Sequence, residues 1–499
     1  MENYQKLMKK LSKINALRAS AGVLEWDLSV YMPPAGEEAR ANHLAVLEEL
    51  AHQYFTDDET GTLIHGAQMD VEGMPYDSDE ASLVRVVSQD YEDEIKLPTE
   101  FVAEQSHATT MAHQIWAKAR ADNDFNVFVP ALARIMELKR QEADYRGYDK
   151  NPYDALLSGY DKGLNTELVK EIFDGHKPQL IALIADISKV EGRVSDSLVH
   201  GSFPIDAQRA FSLQVLKAIG FDFERGRLDI AVHPFEINFS SNDVRLTTRY
   251  HDDWLNPALF GSMHEAGHGM YEQGVAQKLD GTILGNGTSL SVHESQSRLW
   301  ENLVGRSKGF WTWVLPHFKQ HFPHMAHVTL DELYKAINKV ERSFIRVEAD
   351  EATYNLHIML RFELENDLLN GRVAIKDLPH EWNGRFEQFF GITPPTDTLG
   401  VLQDVHWSAG LVGYFPTYAL GNLLSVQYYN QALKDHPSIP TEIENGKFDT
   451  LLTWLQTNIH QHGRKFTTNE LTQRVTGEGI NSAPYIAYLQ KKFGDVYGL

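Results

Sequence analysis

The segment HEAGH, residues 264 to 268, has the residue types and the spacing of a metal-dependent hydrolase. Residues four apart lie on one face of an α-helix, so His264 and His268 can each direct a ring nitrogen at the same metal ion. Glu265 lies about 100° further round the helix and flanks that ion without binding it. It can then take a proton from the attacking water. The pattern predicts a zinc hydrolase, the alternative being a surface helix that carries these letters by accident.

The residues around the motif indicate a helix that has both histidines in its middle. Asn256 and Pro257 are typical of an N-cap and a first helical position, and Gly274 is typical of a helix end. Gly267 and Gly269 lower the helix propensity, which a helix with a purely structural role rarely accepts twice. Small residues there let either a substrate or a neighbouring helix approach the backbone, and both explanations stay open.

A catalytic zinc site also needs a third protein ligand. Metzincins have a histidine six residues after the motif, but Gly274 stands there, which excludes that class. Glu272 lies eight residues from His264, an axial rise of about 12 Å, too far to share one ion. The best candidate is Glu294, in the second amphipathic segment SVHESQSRLWENLV, and Glu301 is the reserve ligand.

Glu294 has a structural explanation as well. Ser291 and Glu294 have the spacing of a capping box, and Glu294 can pair with Arg298 one turn later. On spacing alone this explanation is slightly favoured. The connector GTILGNGTS that precedes the segment lacks the residue order of a phosphate-binding loop, so we interpret it as a turn.

Five short motifs resemble, in order, those of the carboxypeptidase Taq family of metallocarboxypeptidases. WDLSVYMPPAGEEAR near the start and GYFPTYALGN after the last motif extend the resemblance over nearly the whole chain. The five motifs are DVRLT at 243 to 247, HEAGH at 264 to 268, HESQ at 293 to 296, IRVEAD at 345 to 350 and GVLQDVHW at 400 to 407.

The resemblance implies a role for each matched residue. His264, His268 and Glu294 match the metal ligands, and Glu265 matches the general base. Arg346 matches the residue that holds the C-terminal carboxylate of the substrate, and a guanidinium suits this task because it binds a carboxylate with two hydrogen bonds and stays charged.

The remaining matched residues surround the reacting peptide bond. His406 and a tyrosine, Tyr418 in preference to Tyr414, match groups that stabilise the tetrahedral intermediate. Asp243 and Arg245 match a segment on an edge strand near the cleft and are expected to position substrate. A histidine beside a tryptophan, and tyrosines in an apolar segment, are by default core residues.

Arg346 also has a structural explanation, because the residue types around it permit pairs on a solvated helix. These are an ion pair of Arg346 with Asp350, four residues later, or a pair of Arg342 with Glu341.

Composition narrows the class of protein further. The chain has no cysteine, which excludes disulfides and thiolate chemistry and suits a reducing compartment, so we expect a cytoplasmic protein. There is neither a signal-peptide pattern nor an apolar run long enough to cross a membrane. The formal charge of -23, from 46 basic and 69 acidic residues, disfavours nucleic acid as a partner.

Helical periodicity dominates the 499 residues, with no repeat and no long linker, so residues 1–499 are predicted to form one catalytic domain. DAQRAFSLQVLKAIG at 206 to 220 is typical of an amphipathic helix capped by Asp206 and ended by Gly220. PFEINFSSNDVRLTTRY at 234 to 250 predicts a hairpin just before the metal-binding helix. The fold class is therefore mainly α, with a small antiparallel sheet beside the HExxH helix.

The resemblance adds expectations that the residues alone do not give. It implies a saddle-like or clamshell body of two helical halves, similar to the gluzincins, with a deep groove that admits short peptides. It also implies a homodimer. Zinc is the expected metal and cobalt is compatible with the same ligands.

Three other functions remain to be separated from carboxypeptidase activity. A zinc endopeptidase shares HExxH and a distant glutamate but lacks a carboxylate clamp. An aminopeptidase usually has a G-x-M-E-N segment, which is missing here. A metal-stabilised helical binding protein needs the ligands but not the base, so the presence of Glu265 favours an enzyme.

Overall fold

The computed structural model describes all 499 residues, and it is mainly helical, as the sequence predicts. In chain order the helices are α1 Glu2–Val30, α2 Glu37–Thr56, α3 Asp58–Asp70, α4 Asp79–Ile95, α5 Thr99–Asp122, α6 Phe125–Arg146, α7 Pro152–Leu157, α8 Thr166–Ser188, α9 Ile205–Ile219, α10 Asn256–Gly274, α11 Leu290–Arg298, α12 Lys308–His321, α13 Leu330–Ile337, α14 Tyr354–Leu369, α15 Leu378–Phe390, α16 Pro416–Asp435, α17 Ile439–Glu444, α18 Asp449–Asn458, α19 Thr468–Thr476 and α20 Ala483–Tyr497. The strands are β1 Gly226–Ile230, β2 Glu236–Ser240 and β3 Asp243–Thr248.

These elements form two compact units, each assembled from three stretches of the chain. The first unit comprises Met1–Ile95, Asp196–Ile337 and Tyr428–Gly477, and the second comprises Lys96–Ser195, Asn338–Gln427 and Glu478–Leu499. The prediction of a single catalytic domain with two helical halves stays a prediction. None of the helices is both long enough and apolar enough to cross a membrane.

The predicted hairpin is confirmed, but the sheet is mixed. Strands β2 and β3 pair antiparallel, and β1 pairs with β3 in parallel, in the order β1-β3-β2. The DVRLT segment is therefore the central strand, and the expectation of an edge strand is wrong. The cause is GRLDI at 226 to 230, a short strand that the sequence reasoning did not use.

Helix ends agree with the sequence to within two residues. Gly220 follows α9 in the left-handed conformation, with φ of 106°, as a helix-ending glycine does. Asp206 does not cap this helix, because Pro204 holds the N-cap position and Asp206 lies in the first turn. In α10, Asn256 is the first helical residue instead of the N-cap, and Gly274 is the last.

Candidate metal centre

Three side chains of the first unit converge at the predicted site. Glu294 Oε2 lies 3.5 Å from His264 Nε2 and 3.6 Å from His268 Nε2. One ligand atom from each of the three residues lies within 4.8 Å of the others. Two imidazole nitrogens and one carboxylate oxygen are the ligand set of many catalytic zinc sites. These residues therefore fit a divalent metal ion that prefers nitrogen ligands.

Close packing of two helices makes this convergence possible. A methyl group at Gly267 of α10 would lie 2.5 Å from the Cα atom of Ser297 and 2.6 Å from the carbonyl oxygen of Gln296, both on α11. A methyl group at Gly269 would lie 2.8 Å from Leu246 of the sheet. Both glycines therefore admit neighbouring protein, and Gly267 brings the backbone that carries Glu294 close to the histidines.

Glu301 fixes the orientation of His264 and is not a third ligand in this geometry. Its Oε2 accepts a hydrogen bond of 2.9 Å from Nδ1 of His264, which leaves Nε2 with a lone pair directed at Glu294. Glu301 lies in a π-helical segment, Leu299–Gly305, that continues α11. A π-helical turn shifts the register of side chains and is frequent at functional sites.

A longer chain of hydrogen bonds orients His268. Glu272 Oε1 accepts a bond of 2.6 Å from Nε2 of His293, so the lone pair of a neutral His293 is on Nδ1. This atom accepts a bond of 2.7 Å from Nδ1 of His268, whose Nε2 is then free for a metal ion. Gly287 and Asn238 also donate hydrogen bonds to Glu272. Glu272 is too distant to be a metal ligand, and it instead orients His268 through His293.

The two structural explanations of Glu294 have different outcomes. The ion pair is present, because Nε of Arg298 donates a bond of 2.6 Å to Oε1. The capping box is wrong, because Ser289 caps α11 and accepts from the backbone N–H of Val292. Arg298 uses one carboxylate oxygen and leaves the other facing the histidines, so the ion pair and metal binding are compatible.

Glu265 is buried beside this cluster. Burial raises the pKa of its carboxyl group to about 7; His264 opposes this shift, and the carboxylates of Glu294 and Glu301 add to it. A divalent cation bound by the histidines would favour the ionised form of Glu265.

In the second unit, Arg346 is almost completely buried, at 5% exposure. Its Nε and Nη2 donate bonds of 3.0 and 2.9 Å to Oδ1 of Asp404, and its Nη1 donates a bond of 2.9 Å to the hydroxyl of Tyr354. The predicted pair with Asp350 is wrong. Asp350 instead accepts hydrogen bonds from backbone N–H groups, among them that of Thr353, before α14 begins.

Asp404 is shared by two arginines. Burial alone would raise the pKa of its carboxyl group, but Arg361 and Arg346 outweigh this and hold the pKa well below its usual range. Burial alone would likewise lower the pKa of Arg346, but the charge of Asp404 outweighs burial and raises it. Asp404 is therefore ionised, and Arg346 keeps its positive charge inside the protein.

His406 and two tyrosines lie beside this cluster. Burial lowers the pKa of His406 to about 4, so its ring is neutral at pH 7, and its Nδ1 has no hydrogen-bond partner. The His406 ring centroid lies 5.7 Å from that of Tyr414 and 6.3 Å from that of Tyr418. The Tyr418 ring also lies 5.2 Å from the guanidinium of Arg346, which favours Tyr418 over Tyr414 as the functional tyrosine.

Asp243 and Arg245 lie in the first unit, on the face of β3 that is turned away from α10. Leu246 faces α10 near Gly269, and successive residues of a strand point to opposite faces. Arg245 binds Asp243 through two hydrogen bonds of 2.8 and 2.9 Å and stacks 4.2 Å from the ring centroid of Trp26. These contacts hold the sheet against α1, and direct substrate binding by the pair stays a prediction.

Sequence reasoning missed the residues that orient the functional groups. His293 and Asp404 are letters of the HESQ and GVLQDVHW motifs, so the motifs contained the signal although no role followed from spacing. From the sequence, Glu272 and Glu301 are considered only as metal ligands. Arg361 gave no signal, because the two side chains that it binds, Gln403 and Asp404, are 42 and 43 residues away in the sequence.

Comparison with known proteins gives consistent matches over the full length. The profile described as "Carboxypeptidase Taq (M32) metallopeptidase" matches residues 6–493. Thermostable carboxypeptidase 1 of Thermus thermophilus is 40% identical and carboxypeptidase 1 of Bacillus subtilis is 35% identical, with at least 97% of each chain covered. The crystal structure of an M32 carboxypeptidase from Deinococcus radiodurans matches with a TM-score of 0.97 at 38% identity, covering 100% of both chains.

Proposed function

The chain belongs to the carboxypeptidase Taq (M32) family of metallopeptidases and is a metallocarboxypeptidase, and we propose that His264, His268 and Glu294 bind its catalytic metal ion. The observation that carries this proposal is the convergence of their three ligand atoms, with both histidines held so that Nε2 faces Glu294. Two imidazoles and a carboxylate favour zinc, and cobalt is compatible with the same set. When bound, a divalent ion polarises the peptide carbonyl and makes the attacking water acidic enough to lose its proton near neutral pH.

Glu265 is the general base of the proposed reaction. It follows the ligand His264 directly, and none of the hydrogen bonds of the site uses its carboxylate, so its oxygens are available to take a proton from the attacking water. The same carboxyl group then returns the proton to the nitrogen of the leaving amino acid. Burial keeps competing water away from Glu265 and strengthens its electrostatic interactions.

Arg346 binds the C-terminal carboxylate of the substrate in this proposal. Its three hydrogen bonds use Nε and one N–H group of each terminal nitrogen, so one N–H remains on Nη1 and one on Nη2. Two such groups suffice for the two oxygens of a carboxylate. Asp404 keeps the guanidinium oriented before substrate arrives, which lowers the ordering cost of binding.

His406 and Tyr418 are proposed to donate hydrogen bonds to the oxyanion that forms during peptide hydrolysis. A neutral imidazole retains one N–H donor, and burial, together with the hydroxyl of Tyr414 and other neighbours, raises the pKa of Tyr418 well above its usual value, so its hydroxyl keeps the proton. Donors fixed before the reaction stabilise developing charge without reorganisation.

Mass spectrometry of the products from one peptide and its C-terminal amide tests this function. Each peptide is incubated with zinc, with cobalt and with a chelator. We expect metal-dependent loss of one residue at a time from the free C-terminus only. Internal cleavage of both peptides would instead assign an endopeptidase, and no cleavage with either metal would favour a metal-stabilised binding protein. Arg346→Ala should raise KM and remove the discrimination against the amide.

Three broader proposals accompany the activity. Short peptides are the proposed substrates, as the family resemblance implies. The lack of cysteine favours a reducing compartment, and we propose the cytoplasm. We also propose a homodimer, which light scattering coupled to size-exclusion chromatography would contradict if the mass equals that of one 56.6 kDa chain.

A further inference from the structure

Two buried side chains of α14 have no part in the function proposed above. Arg361 and Glu365 lie one turn apart on a helix that is buried on nearly every side, and they are 1% and 0% exposed. They do not form an ion pair with each other, because each binds other groups. Removing a guanidinium and a carboxyl group from water is costly. The reason for their presence therefore lies in the groups that they bind.

Arg361 binds the two residues that hold Arg346. Its Nε donates a bond of 2.6 Å to Oδ2 of Asp404, whose Oδ1 accepts both bonds from Arg346. Its Nη2 donates a bond of 2.8 Å to Oε1 of Gln403, and that oxygen also accepts the backbone N–H of Arg346 at 2.8 Å. Arg361 thus supports the side chain and the backbone of Arg346 through two consecutive residues.

Glu365 binds the same segment of chain on the other side of His406. Its Oε1 accepts a bond of 2.8 Å from the indole N–H of Trp407. Its Oε2 accepts bonds from the backbone N–H of Gly413, at 3.0 Å, and from the hydroxyl of Tyr153, at 2.7 Å. His406 therefore lies between one pair of residues bound by Arg361 and another bound by Glu365.

The segment that receives these bonds has no regular structure of its own. Residues 391–415, between α15 and α16, contain neither helix nor strand, although His406 and its neighbours are buried. A segment without a backbone ladder depends on side chains to fix its position. A nearly fully buried helix is a rigid support for that purpose.

We propose that Arg361 and Glu365 are positioning residues of the peptidase reaction. Arg361 sets the position of Arg346 through Asp404, and Glu365 sets the position of His406 through Trp407. The inference rests on the proposed functions of Arg346 and His406. It assigns different kinetic consequences to two neighbours on one helix, since one supports carboxylate binding and the other supports oxyanion stabilisation.

Steady-state kinetics on a free peptide and its amide separate these consequences. Arg361→Met should raise KM for the free peptide about tenfold or more, leave kcat within about threefold, and weaken discrimination against the amide by the same factor as KM. Glu365→Gln keeps the shape but cannot accept all three hydrogen bonds. It should lower kcat about tenfold with KM nearly unchanged.

Asp367→Asn is the matched control, because Asp367 lies on the same helix and its carboxylate also loses its charge. Asp367 binds Arg372 and Arg385, at 2.6 and 2.5 Å, and does not contact residues 403–413. This variant should lose stability and change neither kcat nor KM. Melting temperature and metal content are measured for all three variants, so that a general structural defect is recognised.

A double variant distinguishes failure of this inference from failure of the proposed function. If Arg346→Ala itself leaves KM unchanged, the carboxylate clamp is wrong. If Arg346→Ala raises KM and Arg361→Met does not, the positioning function of Arg361 is overturned. It is also overturned if the two effects on KM add fully in the double variant Arg346→Ala/Arg361→Met. Similar losses of kcat for Arg361→Met and Glu365→Gln would overturn the division between them. If Arg361→Met does not fold, Arg361→Lys is measured instead. We expect an intermediate rise in KM, because lysine keeps the positive charge but cannot bind Asp404 and Gln403 together as the guanidinium does.

Discussion

The metal centre and the Arg346 cluster are constructed in opposite ways. His264 and His268 occupy one face of a regular helix, and Glu294 comes from the next helix along the chain. Arg346 and Asp404 are 58 residues apart and neither lies in a long helix. Local helical geometry aligns the two histidines in the first site, whereas long-range hydrogen bonds create most of the second. Substitutions should therefore act differently in the two regions.

Glu265→Gln should give the largest effect. The amide has the size of the carboxylate but cannot take a proton, so kcat should fall about a thousandfold or more while the metal ligands are untouched. Metal content after dialysis and turnover of a free peptide are measured together. A variant that keeps its metal and most of its activity would contradict the assignment of Glu265 as the base.

Gly267→Ala tests whether close helix packing brings Glu294 to the histidines. The new methyl group would lie 2.5 Å from Ser297 Cα, so α11 must shift, and metal affinity should fall about a hundredfold. Gly261→Ala is the control, because a methyl group there meets no atom within 4 Å and alanine favours helix. Competition with a chelator measures both affinities. Equal affinities would show that the approach of the two helices does not determine metal binding.

Glu301→Gln should have a smaller effect on the same property. The amide can still accept the bond from His264 Nδ1, but it loses the negative charge that makes the imidazole a better ligand. Loss of such a partner typically lowers metal affinity about tenfold to a hundredfold. His293→Phe should act similarly on His268. Asp331→Asn, at an exposed ion pair with Lys308, should leave the affinity unchanged.

The comparison also explains how much the sequence could predict. Residues four apart lie on one face of a helix, so HEAGH predicted that His264 and His268 point in the same direction, and both Nε2 atoms do face Glu294. The assignment of these residues as ligands and of Glu265 as the base stays a proposal. Gly220 likewise predicted the end of a helix. The role proposed for Arg346 depends on its hydrogen bonds to Asp404, and no local sequence rule predicts a contact between residues 58 positions apart. The same reason applies to β1, a strand of five residues whose pairing with β3 is long-range. Resemblance to a family supplied the residues of the second unit for which we propose a function, but not the groups that hold them in position.

The smallest expected effect is a change in how the free energy of unfolding depends on pH, in the variant Glu365→Gln. Burial raises the pKa of Glu365 from 4.5 to about 7 in the folded protein, so folding favours the protonated form. This contribution is complete below pH 4.5 and is lost as pH rises through 7. Glutamine does not titrate. Relative to Glu365→Gln, the parent should therefore lose about 1 kcal/mol of stability between pH 6 and pH 8.

Melting temperatures of the parent and the variant across this pH range measure the difference. Asp367→Asn is the control with the opposite sign, because its ion pairs with Arg372 and Arg385 outweigh burial and lower the pKa of Asp367. Its stabilisation is lost only in acid, so the difference between parent and Asp367→Asn should stay constant from pH 6 to pH 8. A constant difference for Glu365→Gln as well would mean that Glu365 is already ionised at pH 6. The carboxylate would then hold the His406 segment through charge-assisted hydrogen bonds. The region around Arg346 and His406 would in that case depend on ionised groups, as the metal centre does, despite its burial.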